Sequence, residues 1–189
     1  MRRGWFKIAG VQEGDRTLEL QMLGLEPALQ AAAGKTVLDL GCAEGLIARE
    51  FAERGAREVD GIEVVAEHVT IGREICKGLP VNLAVGNIDK LALEPLGGWD
   101  VVLMLAVLHK TRDPERVLRA FAGAARELLV IRLPGGARNG RYSMPERPGQ
   151  ALVDVAKIMS SAGFVLERTE RGPETRERGR EPVLYFRRR

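Results

Sequence analysis

Asp39, Gly41 and Gly45 fall together in the segment VLDLGCAEG, residues 37–45. A buried apolar run that ends on an acid, followed by glycines, lets the backbone approach a ligand closely before the next helix begins. Two ligand types compete for such a turn. A dinucleotide needs G-x-G-x-x-G, so that a helix N-terminus can hold its pyrophosphate. Here the spacing is G-x-x-x-G, and the Asp39 carboxylate is a poor neighbour for phosphate. A ligand with a cationic amino group and no phosphates suits the segment better. Glu63 closes the triplet GIE 24 residues further on, where a strand-end carboxylate can accept hydrogen bonds from two ribose hydroxyls. A nucleoside is implied.

Other reactive side chains are few. Of the two histidines, His109 follows the apolar run 101–108 at the ligand end of the expected sheet. An imidazole there can take up a proton near neutral pH. His68 falls within a helical pattern and reads as a surface or packing residue. Tyr142, in a glycine-rich stretch, is a weaker candidate for substrate contact. Cys42 and Cys76 are too few for a disulfide framework or a four-ligand zinc site, and no H-x-x-H or carboxylate cluster suggests a metal.

The elements that must hold these residues alternate. Short apolar runs at 36–40, 58–62, 81–85, 100–105 and 128–133 read as strands, with helical patterns at 44–54, 66–77, from Asp113 onward, and up to about Ala162. Asp113 is a helix N-cap and Pro114 a first helical residue. Near-continuous apolar strands between helices predict a parallel sheet covered on both faces. The expected fold is α/β, a doubly wound Rossmann-like sheet of seven strands. It is mostly parallel, with an antiparallel C-terminal hairpin strand from the runs 164–170 and 182–187. Residues 1–34 read as an N-terminal helical extension, with Pro27 splitting its pattern, and 35–189 as one ligand-binding domain. The Pro/Gly-rich connection 134–150 is long for a compact α/β unit and, with the N-terminal helices, reads as a lid.

Composition sets outer bounds. A chain of 189 residues with 45% hydrophobic and 29% charged residues is expected to fold as one globular, soluble unit. The longest apolar run, VVLMLAVL, is far short of the ~20 residues a membrane helix needs. The N-terminus lacks the apolar stretch of a secretory signal, so a cytoplasmic protein is expected, with no membrane partner. The formal charge of +3 is concentrated in residues 168–189, which hold eight arginines against four glutamates. Basic and acidic residues alternate there, as on a solvated face.

In order and spacing, VLDLGCAEG, GIE, VGNIDKL and the stretch from Asp100 to His109 resemble the motifs of the class I S-adenosylmethionine-dependent methyltransferases. The resemblance covers roughly residues 35–187. It implies S-adenosylmethionine (SAM) as cofactor, with Asp39, Gly41 and Gly45 lining its methionine part, Glu63 holding the ribose and Val64 on the adenine face. Asn87 and the Ile88 backbone would meet the adenine edge, and Cys42, Ala43 and Leu105 complete the cofactor-binding set. Ala43 stands where the family often has glycine, and Asn87 where it often has aspartate. The implied reaction is methyl transfer to an oxygen or nitrogen of a small-molecule acceptor, with His109 as the candidate catalytic base. The Asn/Asp-Pro-Pro-aromatic motif of amino-methylating nucleic-acid enzymes is absent where Leu105-Ala106-Val107 stands, and DNA is not an expected partner. Residues 107–114 are also weakly similar to tRNA wobble-uridine carboxymethyl transferases. RNA modification is therefore one alternative, and an inactive SAM-binding scaffold another.

Overall fold

Two three-residue strands, β1 (Gly4–Phe6) and β2 (Gly14–Arg16), pair in parallel with Phe6 opposite Arg16 in the computed structural model. The structure describes residues 4–92, 96–137, 140–142, 153–175 and 179–189. The helical reading of residues 1–34 thus holds only from Leu18 onward. Strands this short are fixed by tertiary partners, given below, and leave no periodicity to read. The apolar spacing Leu18, Met22, Leu25, Leu29 becomes two helices, α1 (Leu18–Met22) and α2 (Glu26–Ala32). Pro27 lies in the first turn of α2, where its missing N–H has no intrahelical partner to lose.

The alternating core follows: β3 (Thr36–Leu40), α3 (Leu46–Glu53), β4 (Glu58–Glu63), α4 (Ala66–Ile75), β5 (Val81–Val85), α5 (Ile88–Leu91) and β6 (Trp99–Leu105). A 3-10 turn at Leu108–Lys110 leads into α6 (Pro114–Ala124) and β7 (Ala125–Arg132). Asp113 caps α6 by accepting the Arg116 N–H at 3.0 Å, a bond that contributes about 1 kcal/mol. Next come β8 (Arg141–Tyr142) and β9 (Val153–Asp154), an antiparallel pair, then α7 (Val155–Ser161), β10 (Phe164–Thr175) and β11 (Gly179–Arg188). Most of the connection read as a lid, and the Tyr142 side chain, lie outside the described residues.

The main sheet has the order β5-β4-β3-β6-β7-β11-β10. All neighbours from β5 to β7 are parallel, and β11 runs antiparallel to both β7 and β10. Successive residues of a strand face opposite sides, so each strand feeds two cores. Val37, Leu103 and Val130 pack with Leu25, Ala28 and Phe51 on one side, while Leu38, Val102 and Leu129 pack with Leu118, Phe121 and Met159 on the other. Strand order reverses between β3 and β6. Beyond their carboxyl ends, such a sheet leaves a crevice. No helix among the described residues is long and apolar enough to cross a membrane.

Candidate functional site

The crevice is a cavity of about 340 Å³. Its floor is built where β3 runs out. Gly41 has φ +75°, and a Cβ there would come within 2.9 Å of Val107 Cγ2, so the turn requires glycine. The N–H groups of Gly41 and Cys42 donate to the Ile62 carbonyl at 2.8 and 3.2 Å, tying this loop to β4. Glu63, at the end of β4, accepts the Ala43 N–H through Oε2 and the Val65 N–H through Oε1, each at 3.0 Å. One carboxylate thereby fixes two loops and keeps lone pairs for a ligand. Ala43 and Ala106 adopt left-handed φ of 48° and 53°, and both line the cavity. They are the non-glycine residues with positive φ among those described. Strain of this kind persists where the surroundings over-determine the backbone.

The residues singled out as cofactor-binding converge here with one exception. Asp39, Gly41, Cys42, Ala43, Glu63, Val64, Asn87, Ile88 and Leu105 all line the cavity. Gly45 does not. It takes the left-handed N-cap position of α3, where a Cβ would stand 2.8 Å from Leu83 Cδ1, so its glycine serves the close packing of α3. Val64 is 61% exposed, an apolar surface open to a flat partner. Asn87 spends one amide-oxygen lone pair on capping α5, accepting the Asp89 N–H at 2.9 Å. Asp89 in turn accepts the Arg112 N–H and also lines the cavity.

Asp39 is buried, and its Oδ2 has no hydrogen-bond partner. Burial and the neighbouring Glu63 carboxylate push its acid up to about 7, against the pull of Arg132. An unpartnered buried carboxyl oxygen on a cavity wall is fitted to a cationic ligand group. Arg132, at the end of β7, is also buried and binds Gln21 of α1 twice, at 2.9 Å to its side-chain oxygen and 2.5 Å to its carbonyl. Burial lowers the Arg132 guanidinium to about 10, which leaves it charged at neutral pH. The Cys42 thiol is pushed far up by burial and the nearby acids, which leaves it without nucleophilic character. No group of three or more His, Cys, Asp or Glu among the described residues could hold a metal ion.

The remaining wall comes from residues that sequence reasoning missed. Glu44 is wholly buried, and its carboxylate accepts the backbone N–H groups of Trp5 at 2.8 Å and Phe6 at 3.1 Å and the Gln12 side-chain amide at 2.7 Å. This clasp lays β1 over the cavity, so that Trp5 and Phe6 line it. The available signal was an acid inside the glycine segment, which must find donors once buried. His68, expected to be a surface or packing residue, also lines the cavity, with Nε2 3.5 Å from Glu44 Oε1. His109 lies in the 3-10 turn but not on the cavity wall; its neighbours Lys110 and Thr111 are there instead. The turn after β6 changes direction at left-handed Ala106, which extrapolating the strand does not anticipate.

Among the described residues, three of the C-terminal arginines face acids. Arg180 pairs with Glu174 at 2.6 Å and Arg187 with Glu167 at 3.1 Å, both across the β10-β11 hairpin, and Arg168 lies 3.9 Å from Glu170.

This strand order, with a cavity at the reversal, is the Rossmann-like arrangement also found in solved methyltransferases. Residues 37–128 match a family model described as a methyltransferase domain. The chain is 32% identical over 120 residues to a ubiquinone biosynthesis O-methyltransferase of Xanthomonas axonopodis pv. citri, covering 62% of this chain and 50% of that one. To the protein of the same name from Chromobacterium violaceum it is 36% identical over 90 residues, covering 47% and 38%. It thus spans about half or less of the length of these curated relatives. Among solved structures, magnesium protoporphyrin IX methyltransferase from Synechocystis PCC 6803 with bound SAH is similar in fold. The TM-score is 0.67 at 20% identity, over 86% of this chain and 78% of that one. Residues 37–128 are thus similar to methyltransferase domains, and the fold is shared with S-adenosylmethionine-dependent methyltransferases.

Proposed function

We propose that this chain transfers a methyl group from SAM to an oxygen of a small-molecule acceptor, with nitrogen as the other acceptor atom open to it. The observation that carries the reading is the unpartnered Asp39 oxygen beside Glu63 in one cavity, a pair of acids suited to a ligand with ribose hydroxyls and a cationic amino-acid end. The Gly41 cradle, which a Cβ would fill, fits the same group. The acceptor oxygen is favoured because the relatives above are named O-methyltransferases.

In this reading Glu63 receives the ribose hydroxyls, Val64 packs on the adenine, and Asn87 with the Ile88 backbone meets its edge. Asp39 balances the cationic end. Bound SAM supplies a sulfonium methyl whose carbon–sulfur bond breaks as the acceptor forms its bond to that carbon. Trp5 and Phe6 exclude water, so that much of the rate comes from holding two reactants in line in a dry space. With His109 off the cavity wall, the reading leans on positioning rather than on an imidazole base. Residues 35–189 form the cofactor domain, and the N-terminal segment shares its core through Phe6, Leu25 and Ala28. The paired hairpin arginines support a small-molecule acceptor over RNA. Two buried free thiols suit the reducing cytoplasm.

The test is calorimetry with SAM and its product S-adenosylhomocysteine (SAH), followed by transfer of labelled methyl to a panel of phenols, carboxylic acids and amines. Binding with turnover on an oxygen acceptor is the expected result. Binding without turnover on any acceptor favours the inactive scaffold, and no binding to folded protein ends the proposal.

A further inference from the structure

Two cations gather on one aromatic ring at the edge of the cavity. Lys110 Nζ lies 4.5 Å from the centroid of the Trp5 ring, and Arg16 Cζ lies 5.6 Å from the same ring. Trp5 and Lys110 both line the cavity. Burial and the neighbouring Arg16 hold the Lys110 ammonium below its ordinary value, against the pull of Glu63 and Glu181. Other cations of this chain meet acids, as Lys35 meets Glu127 and Arg180 meets Glu174. Lys110 and Arg16 meet a ring face.

Charge is therefore divided within one cavity. The acids Asp39 and Glu63 occupy the wall assigned above to the cofactor, and the cations stand at the Trp5 edge. A cation held on a ring face keeps its remaining N–H donors for an anion, and a charge-assisted bond formed there is about twice as strong as a neutral one. Trp5 and Arg16 also lie outside residues 37–128, the stretch matched by the methyltransferase-domain model. Lys110 lies within that stretch, so the cluster joins a residue of the matched domain to two from outside it.

We propose that Lys110, supported by Arg16 and the Trp5 ring, forms an anion subsite that selects an aromatic carboxylic acid as the acceptor. Lys110 binds the carboxylate, and the aromatic ring lies against Trp5. The inference rests on the reading of the cavity as a SAM site, and its test separates the two.

Protein saturated with SAH is titrated calorimetrically with protocatechuate, an aromatic acid bearing ring hydroxyls, and with its uncharged primary amide. The acid is expected to bind about tenfold or more tightly than the amide, in line with one charge-assisted hydrogen bond. Lys110→Met should remove that preference while leaving SAH affinity within about twofold, and raising salt should weaken the acid alone. Lys110→Arg, which keeps the charge, should retain it. Equal binding of acid and amide, or no binding of either, overturns the proposal. So does a Lys110→Met protein that loses SAH affinity but still binds methylthioadenosine normally, because the anion is then the cofactor's own carboxylate. If wild-type protein binds no SAH at all, it is the underlying cofactor reading that fails.

Discussion

Glu44 Oε1 accepts the backbone N–H of Trp5 at 2.8 Å, joining the loop after β3 to a strand 39 residues upstream. The loop that shapes the floor of the cavity thus also carries part of its roof. The Glu44 carboxylate is fully buried and draws on Trp5, Phe6 and Gln12 together, so strand and loop are expected to order as one unit.

Glu44→Ala should strand those donors and lower stability by about 2 kcal/mol, the cost of unsatisfied buried groups. A urea melt measures this, and limited proteolysis should show new cleavage between Gly4 and Arg16. An unchanged midpoint with no new cleavage would contradict the clasp.

Glu63→Ala should weaken SAH binding by about 1–3 kcal/mol through loss of charge-assisted hydrogen bonds. Glu63→Gln should lose less, because it keeps one acceptor oxygen. Calorimetry on both variants decides the matter; equal affinity for wild type and Glu63→Ala would remove Glu63 from the site.

Asp39 carries a pH signature. Its acid stands at about 7 in the folded chain against an ordinary 3.8, so between those values the native state holds a proton that the unfolded state has released. Stability from this group is therefore greatest below pH ~4, falls as pH rises toward ~7, and is level above it. Asp39→Asn should flatten that slope in melts across the window. A cationic ligand favours the ionised acid, so SAM binding near pH 6 should release a proton, measured by calorimetry in buffers of different ionisation enthalpy. Release that persists in Asp39→Asn would assign the proton elsewhere.

The arginine hairpin should not behave as an RNA platform. Binding to tRNA, if detected, should show a shallow salt dependence, since Arg180 and Arg187 already face Glu174 and Glu167. A steep log–log slope that disappears in the Arg180→Ala, Arg187→Ala double variant would promote the RNA reading.

Much of the frame was legible because its signals are local. Runs such as VVLML and LLVIR are buried on both faces and announce themselves without their neighbours. Asp113-Pro114 marks a helix start through capping chemistry, and β5 occupies the expected 81–85. The cavity wall was legible for a related reason: glycines and acids at strand ends are placed by the turn they sit in. The roof was not, because β1 and β2 depend on a buried acid distant in sequence. The exchange of His109 for Lys110 on the wall turns on a single left-handed residue, Ala106, where periodicity carries no information. Gly45, expected at the cofactor, lies off the cavity lining and packs against Leu83, where glycine is required as it would be for contact with a ligand.

Strand β11 lies between β7 and β10, yet it follows both along the chain. During synthesis β10 therefore leaves the ribosome before the only main-sheet strand it pairs with, and β7 waits with one edge open. Until residues 179–188 arrive, the nascent chain presents two unpaired strand edges, the kind of surface that recruits chaperones or a second copy. Closing that gap inserts a ten-residue strand with partners on both sides in one late step. The parallel half of the sheet, which carries most of the cavity wall, can form earlier, so a nascent chain stalled before Gly179 is the species in which a shaped cavity and an aggregation-prone edge coexist.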